Sequence, residues 1–407
     1  MKKTLVALAA LAATSAFAQS SVTIDGIVDA GYQSINYKGD DNTQKGIAGN
    51  GSSTSQVNFR GSEDLGGGLK AEFRVETDWN MVSNMANAGT ASSTNATTAA
   101  SSINSSAGTF GNGELRVGLA DSKFGRLDVG AVNYNTLTTY GTGQPFGTAI
   151  GSGFRNMFIN DGQATSQVRA ENSVKYVSPS FSGLTVSLYK SAKQSQASNS
   201  TPSSSATNGL NPQANAFSTA LGAYDQIGTT EVGANYTNGP LTVSYSALKQ
   251  DSTGIGAASS TGAATTGANL KVNTLGANYA LNSQIKLFAL YQEVKNDLTG
   301  ATTKVDRAAT TVSATYTTGN WVLMAQTGSL KADAGTYTGN KSKLTGLGAD
   351  YNLSKRTAVY FRSETFKDDA RVANAAMNPQ QIAGSNSVAG LADQKMVRTA
   401  VGIRHAF

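Results

Sequence analysis

The feature that most constrains this chain is a repeated run in which every second residue is apolar and a short polar turn follows a tyrosine. The clearest copies span residues 232–248, 275–291, 312–326 and 347–361. Such alternation indicates β-strands, because successive side chains of a strand point to opposite sides. Runs of about ten residues with one apolar face and an aromatic residue near the end are typical of strands that cross a membrane.

Sixteen alternating runs can be marked along the chain. They start near Val22, Val57, Leu69, Leu115, Leu127, Val174, Leu184, Val232, Leu241, Leu275, Ile285, Val312, Val322, Leu347, Val359 and Val397. Eight long connections, rich in Ser, Thr, Ala, Asn and Gly, alternate strictly with seven short turns. This alternation predicts antiparallel strands with all the loops at one end and all the turns at the other.

The predicted sheet has to close on itself. In lipid, each unpaired backbone N–H or C=O costs several kcal/mol, and an open sheet has two bare edges. The last run keeps its alternation to Phe407 and can therefore pair with the first. The predicted fold class is an all-β, 16-stranded antiparallel transmembrane barrel. A soluble β-sandwich would explain any single strand, and a β-propeller would explain repeats of about 40 residues, but neither predicts the alternation of loop lengths.

The beginning of the chain predicts a secretory signal peptide. Lys2 and Lys3 precede an apolar run at 5–13, and Ala16 and Ala18 flank a small-residue cleavage site. We therefore assign residues 1–18 to a signal peptide and 19–407 to one barrel domain. No later run reaches 18 apolar residues, which excludes a helical membrane protein. The chain has no cysteine, so disulfides do not contribute to its stability.

Composition argues against several other classes of function. Lys and Arg number 32 against 26 Asp and Glu, a modest and dispersed excess that does not indicate nucleic-acid binding. The one histidine, His405, falls on the outward face of the last run, away from any nucleophile. No His or Cys cluster indicates a metal site. We expect no enzyme activity, no metal and no cofactor.

Four segments carry a resemblance to a known family. They are SSVTIDGIVDAGY at 20–32, FRGSEDLGGGLKAEFRVE at 59–76, ENSVKYVSPSFSGL at 171–184 and VGIRHAF at 401–407. In this order they resemble the Gram-negative general porins of the trimeric, 16-stranded type. The resemblance implies an outer-membrane homotrimer whose third extracellular loop folds inward to face basic wall residues. It also implies that Phe407 is a signal to the barrel-insertion machinery.

Alternation assigns charged residues to the lumen. In the third run Lys70, Glu72 and Arg74 lie opposite the apolar face, and the same reasoning places Arg60, Arg126 and Arg169 inside. An Arg or Lys on the lipid face costs about 2–4 kcal/mol at mid-bilayer, so an inward position avoids that cost. Each of these residues could equally be a lumen residue that contacts water and has no effect on selectivity. For Arg116, the register of the family and the local alternation disagree about the face.

The loop expected inside the lumen spans residues 133–168, and its length alone suggests a function. It carries one acid, Asp161, and one arginine, Arg155. If Arg60, Arg74, Arg155 and Arg169 converge against this acid, the constriction is net positive. We therefore predict a weak preference for anions.

The expected function is passive diffusion of ions and small hydrophilic solutes through a water-filled trimer in the outer membrane. One alternative is a substrate-specific channel, which would need aromatic residues along the lumen. Most aromatic residues here fall on the lipid face, which argues against it. Another alternative is an adhesin or receptor acting through its long loops, and an outer-membrane enzyme is the most distant.

Overall fold

The computed structural model describes residues 20–37, 44–79, 82, 110–158, 168–191, 194–197, 224–255, 267–298, 306–332, 341–368 and 394–407. The predicted signal peptide lies outside these residues. The strands are β1 (Ser21–Tyr37), β2 (Gln44–Gly49), β3 (Gln56–Gly66), β4 (Leu69–Asp78), β5 (Leu115–Asp121), β6 (Gly125–Asn133), β7 (Arg169–Val177), β8 (Leu184–Ser191), β9 (Gln194–Ala197), β10 (Tyr224–Asn238), β11 (Leu241–Ile255), β12 (Gly267–Ala280), β13 (Ile285–Leu298), β14 (Arg307–Thr318), β15 (Trp321–Ala332), β16 (Lys341–Asn352), β17 (Thr357–Asp368) and β18 (Gln394–Ala406).

These strands form one closed antiparallel sheet. Both β2 and β3 pair with β1, so together they form one interrupted strand of the barrel. In the same way, β8 and β9 both pair with β10 and form one interrupted strand. The eighteen segments therefore make sixteen barrel strands, which confirms the predicted barrel. Closure runs from Ile27 opposite Ala406 to Tyr37 opposite Met396. Beyond it, Gly26 and Phe407 exchange backbone hydrogen bonds of 3.1 and 3.0 Å.

The two faces of the wall differ as alternation predicts. In β18, Val401 and Ile403 are 54% and 51% exposed on the outside, whereas Arg398 and Ala400 are buried inside. The outward side carries half-exposed aromatic residues on most strands: Tyr32, Phe73, Tyr176, Tyr245, Tyr279, Tyr291, Tyr316, Trp321, Tyr351 and Phe361. The lipid-facing surface is therefore apolar with aromatic residues, as in membrane barrels.

Three strand segments lie where only loops were expected. We predicted long connections over 37–55 and 190–229, but β2, β9 and the start of β10 extend the sheet into both ranges. These segments are polar, so apolar alternation does not mark them, yet their backbones continue the hydrogen-bonded ladder. Two helical segments follow β6, namely helix α1 (Asn135–Gly143) and a π-helical turn at Phe154–Phe158. Neither they nor any other helix among the described residues is long and apolar enough to cross a membrane.

Candidate pore-lining site

The chain turns into the barrel after β6 and runs along the inner wall. We call its described part, residues 134–158, the inner loop. Helix α1 lies against the inside of β10 to β13, where Asn135 Nδ2 donates to Tyr245 O at 2.8 Å and Asn278 Nδ2 donates to Thr142 O at 2.9 Å. This confirms the inward-folded third loop of the predicted fold.

A buried carboxylate from the wall holds the start of helix α1. Glu231 on β10 is 1% exposed and accepts hydrogen bonds from the backbone N–H of Asn135 at 2.6 Å and of Thr136 at 2.8 Å. The hydroxyls of Thr136 and Ser246 donate to the same group at 2.8 and 2.6 Å. A negative charge at a helix N-terminus meets free N–H groups and the positive end of the helix dipole, so Glu231 stabilises the docked helix.

A second wall carboxylate holds the far part of the inner loop. Glu364 on β17 accepts from Gly151 N at 2.9 Å and from Gly153 N at 3.0 Å, and Arg398 donates to its other oxygen at 2.7 Å. Nearby, Gln326 Nε2 donates to Ser152 O at 3.0 Å. The inner loop is thus attached to the wall at both ends of its described course.

Glycines in the wall allow the inner loop to lie close to it. A Cβ atom on Gly276 of β12 would collide with Thr139 O and lie 2.9 Å from Gly143 N. A Cβ atom on Gly348 of β16 would lie 2.8 Å from a ring carbon of Phe146. These contacts are tighter than real side chains show, so larger residues at these wall positions would displace the loop.

We expect Gly276→Val to reduce single-channel conductance, because the new side chain pushes helix α1 off the wall and toward the pore axis. The matched control is Gly46→Val on β2, where an added Cβ meets nothing within 4 Å. Glu231 and Glu364 still hold the inner loop in this variant, so helix α1 is shifted on the wall and not released. Planar-bilayer recordings of both variants provide the measurement, and equal conductances would contradict the proposed contact.

The opposite part of the inner wall carries a row of arginines. Arg60 on β3 lies directly opposite Arg74 on β4, and Arg74 lies directly opposite Arg116 on β5. Arg116 donates to Asp128 Oδ1 at 2.8 Å on the lumen side, while its neighbour Val117 is 60% exposed on the outside. The structure therefore places Arg116 on the lumen face, in agreement with the local alternation.

Carboxylates of the wall neutralise these arginines. Arg60 pairs with Asp25 at 2.7 Å, Arg74 with Glu114 at 2.7 Å and also with Glu76. The remaining pairs are Arg116 with Asp128 and more distantly with Glu72 and Glu114, Arg126 with Asp128, and Arg169 with Glu76 and Asp78. Our expectation of one loop acid against several arginines counted only the acid of the loop and missed these wall acids.

The arginines and their partners differ in exposure to the lumen. The side chain of Arg126 is 37% exposed, and that of its partner Asp128 is fully buried. Arg60 is 44% exposed against 35% for Asp25, and Arg74 is 16% exposed against 8% for Glu76. In these three pairs the carboxylate lies deeper in the wall and the guanidinium lies over it. Glu72 at 27% and Asp78 at 31% are more exposed than their partners Arg116 at 12% and Arg169 at 21%, so the excess of exposed positive charge lies at Arg60 and Arg126.

The other predicted site residues fall in different places. Lys70 is exposed and lies opposite Asp64 in the strand register beside the β3–β4 turn, about 13 Å along the strand from Arg74. Arg169 donates to Asn133 Oδ1 at 3.0 Å and to Asn112 O at 3.3 Å, next to the start of the inner loop. The side chain of Arg155 and the whole of Asp161 lie outside the described residues, so their part in a constriction stays a prediction.

A second segment folds inward that sequence reasoning missed. Residues 50–55, between β2 and β3, leave the sheet, and we call them the inner hook. Asp29 on β1 accepts from the backbone N–H groups of Gly51, Ser52 and Ser53 at 3.2, 2.8 and 2.7 Å. Its own backbone N–H donates to Ser55 Oγ at 3.0 Å. The segment has the composition of an ordinary polar loop, and that composition gave no sign of its inward course.

The inner hook crosses the inside of the neighbouring strands. Arg404 on β18 donates to Ser53 Oγ at 2.8 Å, and Arg362 on β17 donates to Ser52 Oγ at 2.8 Å. Two strand spacings separate β1 from β17, so the hook spans about 10 Å of wall. The Arg362 guanidinium also lies 6.0 Å from the centre of the Phe146 ring. Arg362 therefore contacts both inward segments.

Aromatic residues inside the barrel pack the inner loop onto the wall. The rings of Tyr140 and Phe154 meet edge to face at 5.0 Å, and those of Tyr134 and Tyr189 do so at 4.8 Å. Burial raises the pKa of the Tyr140 phenol above its ordinary value, so it stays protonated and donates to Phe158 O at 3.2 Å. These rings are buried and do not line an open aromatic track. Among the described residues, no group of three or more His, Cys, Asp or Glu side chains could hold a metal ion.

Comparison with known proteins agrees with this architecture. The family model described as Gram-negative porin matches residues 4–371. The chain is 31% identical to outer membrane porin protein 32 of Delftia acidovorans over 100% of both chains. It is similar to the structure of the anion-selective porin from Comamonas acidovorans, with 26% identity, a TM-score of 0.68 and coverage of 96% of this chain and 100% of that one.

A more distant structure shares the fold. The trimer form of OmpT from Vibrio cholerae gives a TM-score of 0.60 at 13% identity and covers 95% of this chain and 99% of that one. The closed barrel, the inward third loop and the matches over the whole chain agree with one another. The chain therefore belongs to the Gram-negative porin family and is a channel of the bacterial outer membrane.

Proposed function

We propose that this porin is a homotrimer for passive diffusion of ions and small hydrophilic solutes, with a weak preference for anions and without any chemical reaction. The observation that carries the preference is the exposure of the guanidiniums over buried carboxylates, as at Arg126 and Asp128. Fixed positive charge at the surface of a narrow, low-dielectric passage concentrates anions. The residues that we propose for the lumen and constriction are Arg60, Arg74, Arg116, Arg126, Arg155, Arg169, Asp161, Lys70 and Glu72.

Two relatives support parts of this proposal. The Comamonas protein is described as anion-selective, and the Vibrio cholerae protein was solved in a trimer form. The buried position of the inner aromatic rings favours general diffusion over a substrate-specific channel. We further propose that the signal peptide ends at Ala18 and that the barrel-insertion machinery recognises Phe407.

The test is a planar-bilayer recording of the refolded protein across a salt gradient. We expect a zero-current voltage with the sign of anion preference and three equal closing steps from each trimer. A clear cation preference would contradict the proposed charge, and single steps would contradict the trimer. Saturable current block by one solute would favour the substrate-specific alternative.

We expect Arg60→Gln to shift the zero-current voltage toward cations. The exchange removes an exposed positive charge and leaves its partner Asp25 without an arginine at 2.7 Å. The control is Lys70→Gln, which removes the same charge beside the turn and should move the voltage less. The same gradient measurement compares the two, and an equal shift would place selectivity in the overall charge instead of the arginine row.

A further inference from the structure

The inner hook and the inner loop meet on the inner face of one strand, β17. The inner loop reaches this strand from the side of β16, and the inner hook reaches it across β1 and β18. Tyr360, Arg362 and Glu364 occupy successive inward positions of β17, and all three are buried. Glu364 binds the inner loop, whereas Tyr360 and Arg362 connect both segments.

The guanidinium of Arg362 lies between the two segments. Its Nη2 donates to Ser52 Oγ of the inner hook at 2.8 Å, and its centre lies 6.0 Å from the centre of the Phe146 ring of the inner loop. The second distance is within the range of a cation–π contact. Asp350 on β16 accepts from Nη1 at 2.6 Å and from Nη2 at 3.1 Å. Such a bidentate pair fixes the plane of the guanidinium, so the wall determines where both segments lie.

Tyr360 makes a second connection two residues away on the same strand. Its hydroxyl donates to Asp29 Oδ1 at 2.6 Å, and Asp29 holds the backbone of the inner hook. Its ring packs with Ile150 of the inner loop and with Ala400 of β18 in one buried cluster. The inner hook and the inner loop are therefore joined through two neighbouring side chains of the wall.

The two segments leave one side of the barrel to the arginine row. The inner loop lies against the inner face from β10 to β17, and the inner hook lies against it from β17 to β1. Arg60, Arg74 and Arg116 lie beyond β1, on β3 to β5. Four strand spacings, about 19 Å along the wall, separate β4 from β17. This is about two Debye lengths at 0.1 M salt, so ions beside β17 would be screened from Arg74.

We propose that Arg362 is a positioning residue for the selectivity and the size limit of the pore. It holds the inner hook against the inner loop, which confines the water-filled passage to the side of the arginine row. Its side chain is 4% exposed and paired with Asp350, so its own charge contributes little to the lumen. Without this contact a gap would open over β17, beside the neutral hook residues Ser52, Ser53 and Thr54. This inference rests on the proposed diffusion function and adds the inner hook to the elements that narrow the pore.

The test removes Arg362 without changing the net charge. R362Q/D350N deletes one positive and one negative charge of the same pair. We expect larger polymers to enter the pore, a higher single-channel conductance and a zero-current voltage closer to zero, because ions can then pass at a distance from the arginine row. Planar-bilayer recordings with polyethylene glycols of graded size, and across a salt gradient, measure all three quantities.

The matched control is K295Q/E293Q, which also leaves the net charge unchanged. Lys295 and Glu293 form a 2.9 Å pair on β13. Their neighbours Val294 and Gln292 are buried inside the barrel, so this pair points outward. The control should keep the polymer limit, the conductance and the zero-current voltage of the wild type.

A second variant tests the contact from the side of the two segments. S52A/F146L removes the hook hydroxyl and the loop ring and keeps the pair of Arg362 and Asp350. We expect it to shift the polymer limit and the zero-current voltage in the same direction as R362Q/D350N. R362K keeps the charge but has no planar fork for Asp350 and Ser52, so it should recover only part of the wild-type behaviour. Heat-dependent migration in gel electrophoresis verifies that each barrel has folded.

Three results would overturn the inference. A wild-type polymer limit and voltage in S52A/F146L would show that the two segments keep their positions without this contact, whether or not R362Q/D350N folds. A loss of stability in R362Q/D350N with an unchanged polymer limit would give Arg362 a purely structural role. Equal changes in K295Q/E293Q would show a general response to the loss of an ion pair. A cation preference of the wild-type protein would instead contradict the proposed function, and the polymer limit would still test this contact.

Discussion

Replacing Glu231 by alanine should increase single-channel conductance and current noise. The exchange removes the carboxylate that accepts two backbone N–H groups and the Thr136 hydroxyl at the start of helix α1. Hydrogen bonds to a charged group contribute about 1.5–3 kcal/mol each, and water in the lumen compensates for part of this loss by accepting from the same donors. We expect the docked loop to lose about 2–4 kcal/mol relative to an undocked one. A detached loop widens the passage and fluctuates in it.

Two further variants separate the anchor from the charge. Glu231→Gln keeps one acceptor oxygen, but its amide NH2 group faces the N–H and hydroxyl groups that donate to the carboxylate. The conductance of this variant should therefore lie between that of the wild type and that of Glu231→Ala. Glu171→Ala on β7 removes an exposed carboxylate that makes no hydrogen bond to helix α1 among the described residues, and it should leave the noise unchanged. Wild-type amplitude and noise in Glu231→Ala would show that other contacts, such as those of Glu364, hold the loop alone.

Replacing Asp29 by alanine should lower the stability of the barrel and release the inner hook. Asp29 is 1% exposed and, besides the three backbone N–H groups of the hook, accepts the Tyr360 hydroxyl at 2.6 Å. Without it, four donors inside the barrel lose an anionic acceptor. We expect a loss of about 2–4 kcal/mol in the free energy of unfolding. Urea unfolding of the refolded protein, followed by tryptophan fluorescence, measures it.

The control for this exchange lies on the same strand. Asp25→Ala removes a partly exposed carboxylate whose ion pair with Arg60 is open to water, and such a pair contributes less than about 1 kcal/mol. Asp29→Asn should recover part of the lost stability because one carbonyl oxygen remains as an acceptor. If Asp29→Ala unfolds at the same urea concentration as Asp25→Ala, the hook does not depend on this carboxylate.

The barrel could be predicted from the sequence because its signal is local and periodic. Val401 and Ile403 alternate with Arg398 and Ala400, and this alternation gives both the strand and its faces. The same period placed Arg60 and Arg74 inside. The face of Arg116 stayed undecided only because the register of the family disagreed with the local alternation. Turns and loops could be told apart by length alone. These inferences required no knowledge of contacts between distant residues.

The inner hook and the attachment of the inner loop could not be predicted in this way. Residues 50–55 have neither period nor apolar face, and their position follows from Asp29, Arg362 and Arg404 on three strands. In the sequence, Glu231 and Glu364 cannot be told from other carboxylates of the strands. Only the structure shows which backbone N–H groups donate to them. Likewise, the ion partners of the arginines depend on register between strands, which single runs do not reveal.

The attachment of the inner loop also bears on the order of assembly. Its groups bind wall residues far away in the sequence, with separations of 95 residues to Glu231 and 213 to Glu364. Contacts of such separation form late, because the intervening chain must first be ordered. The narrow passage can exist only after β17 is in position. An incompletely assembled cylinder would therefore leak more than the finished one, and permeability to large solutes would report how far maturation has gone.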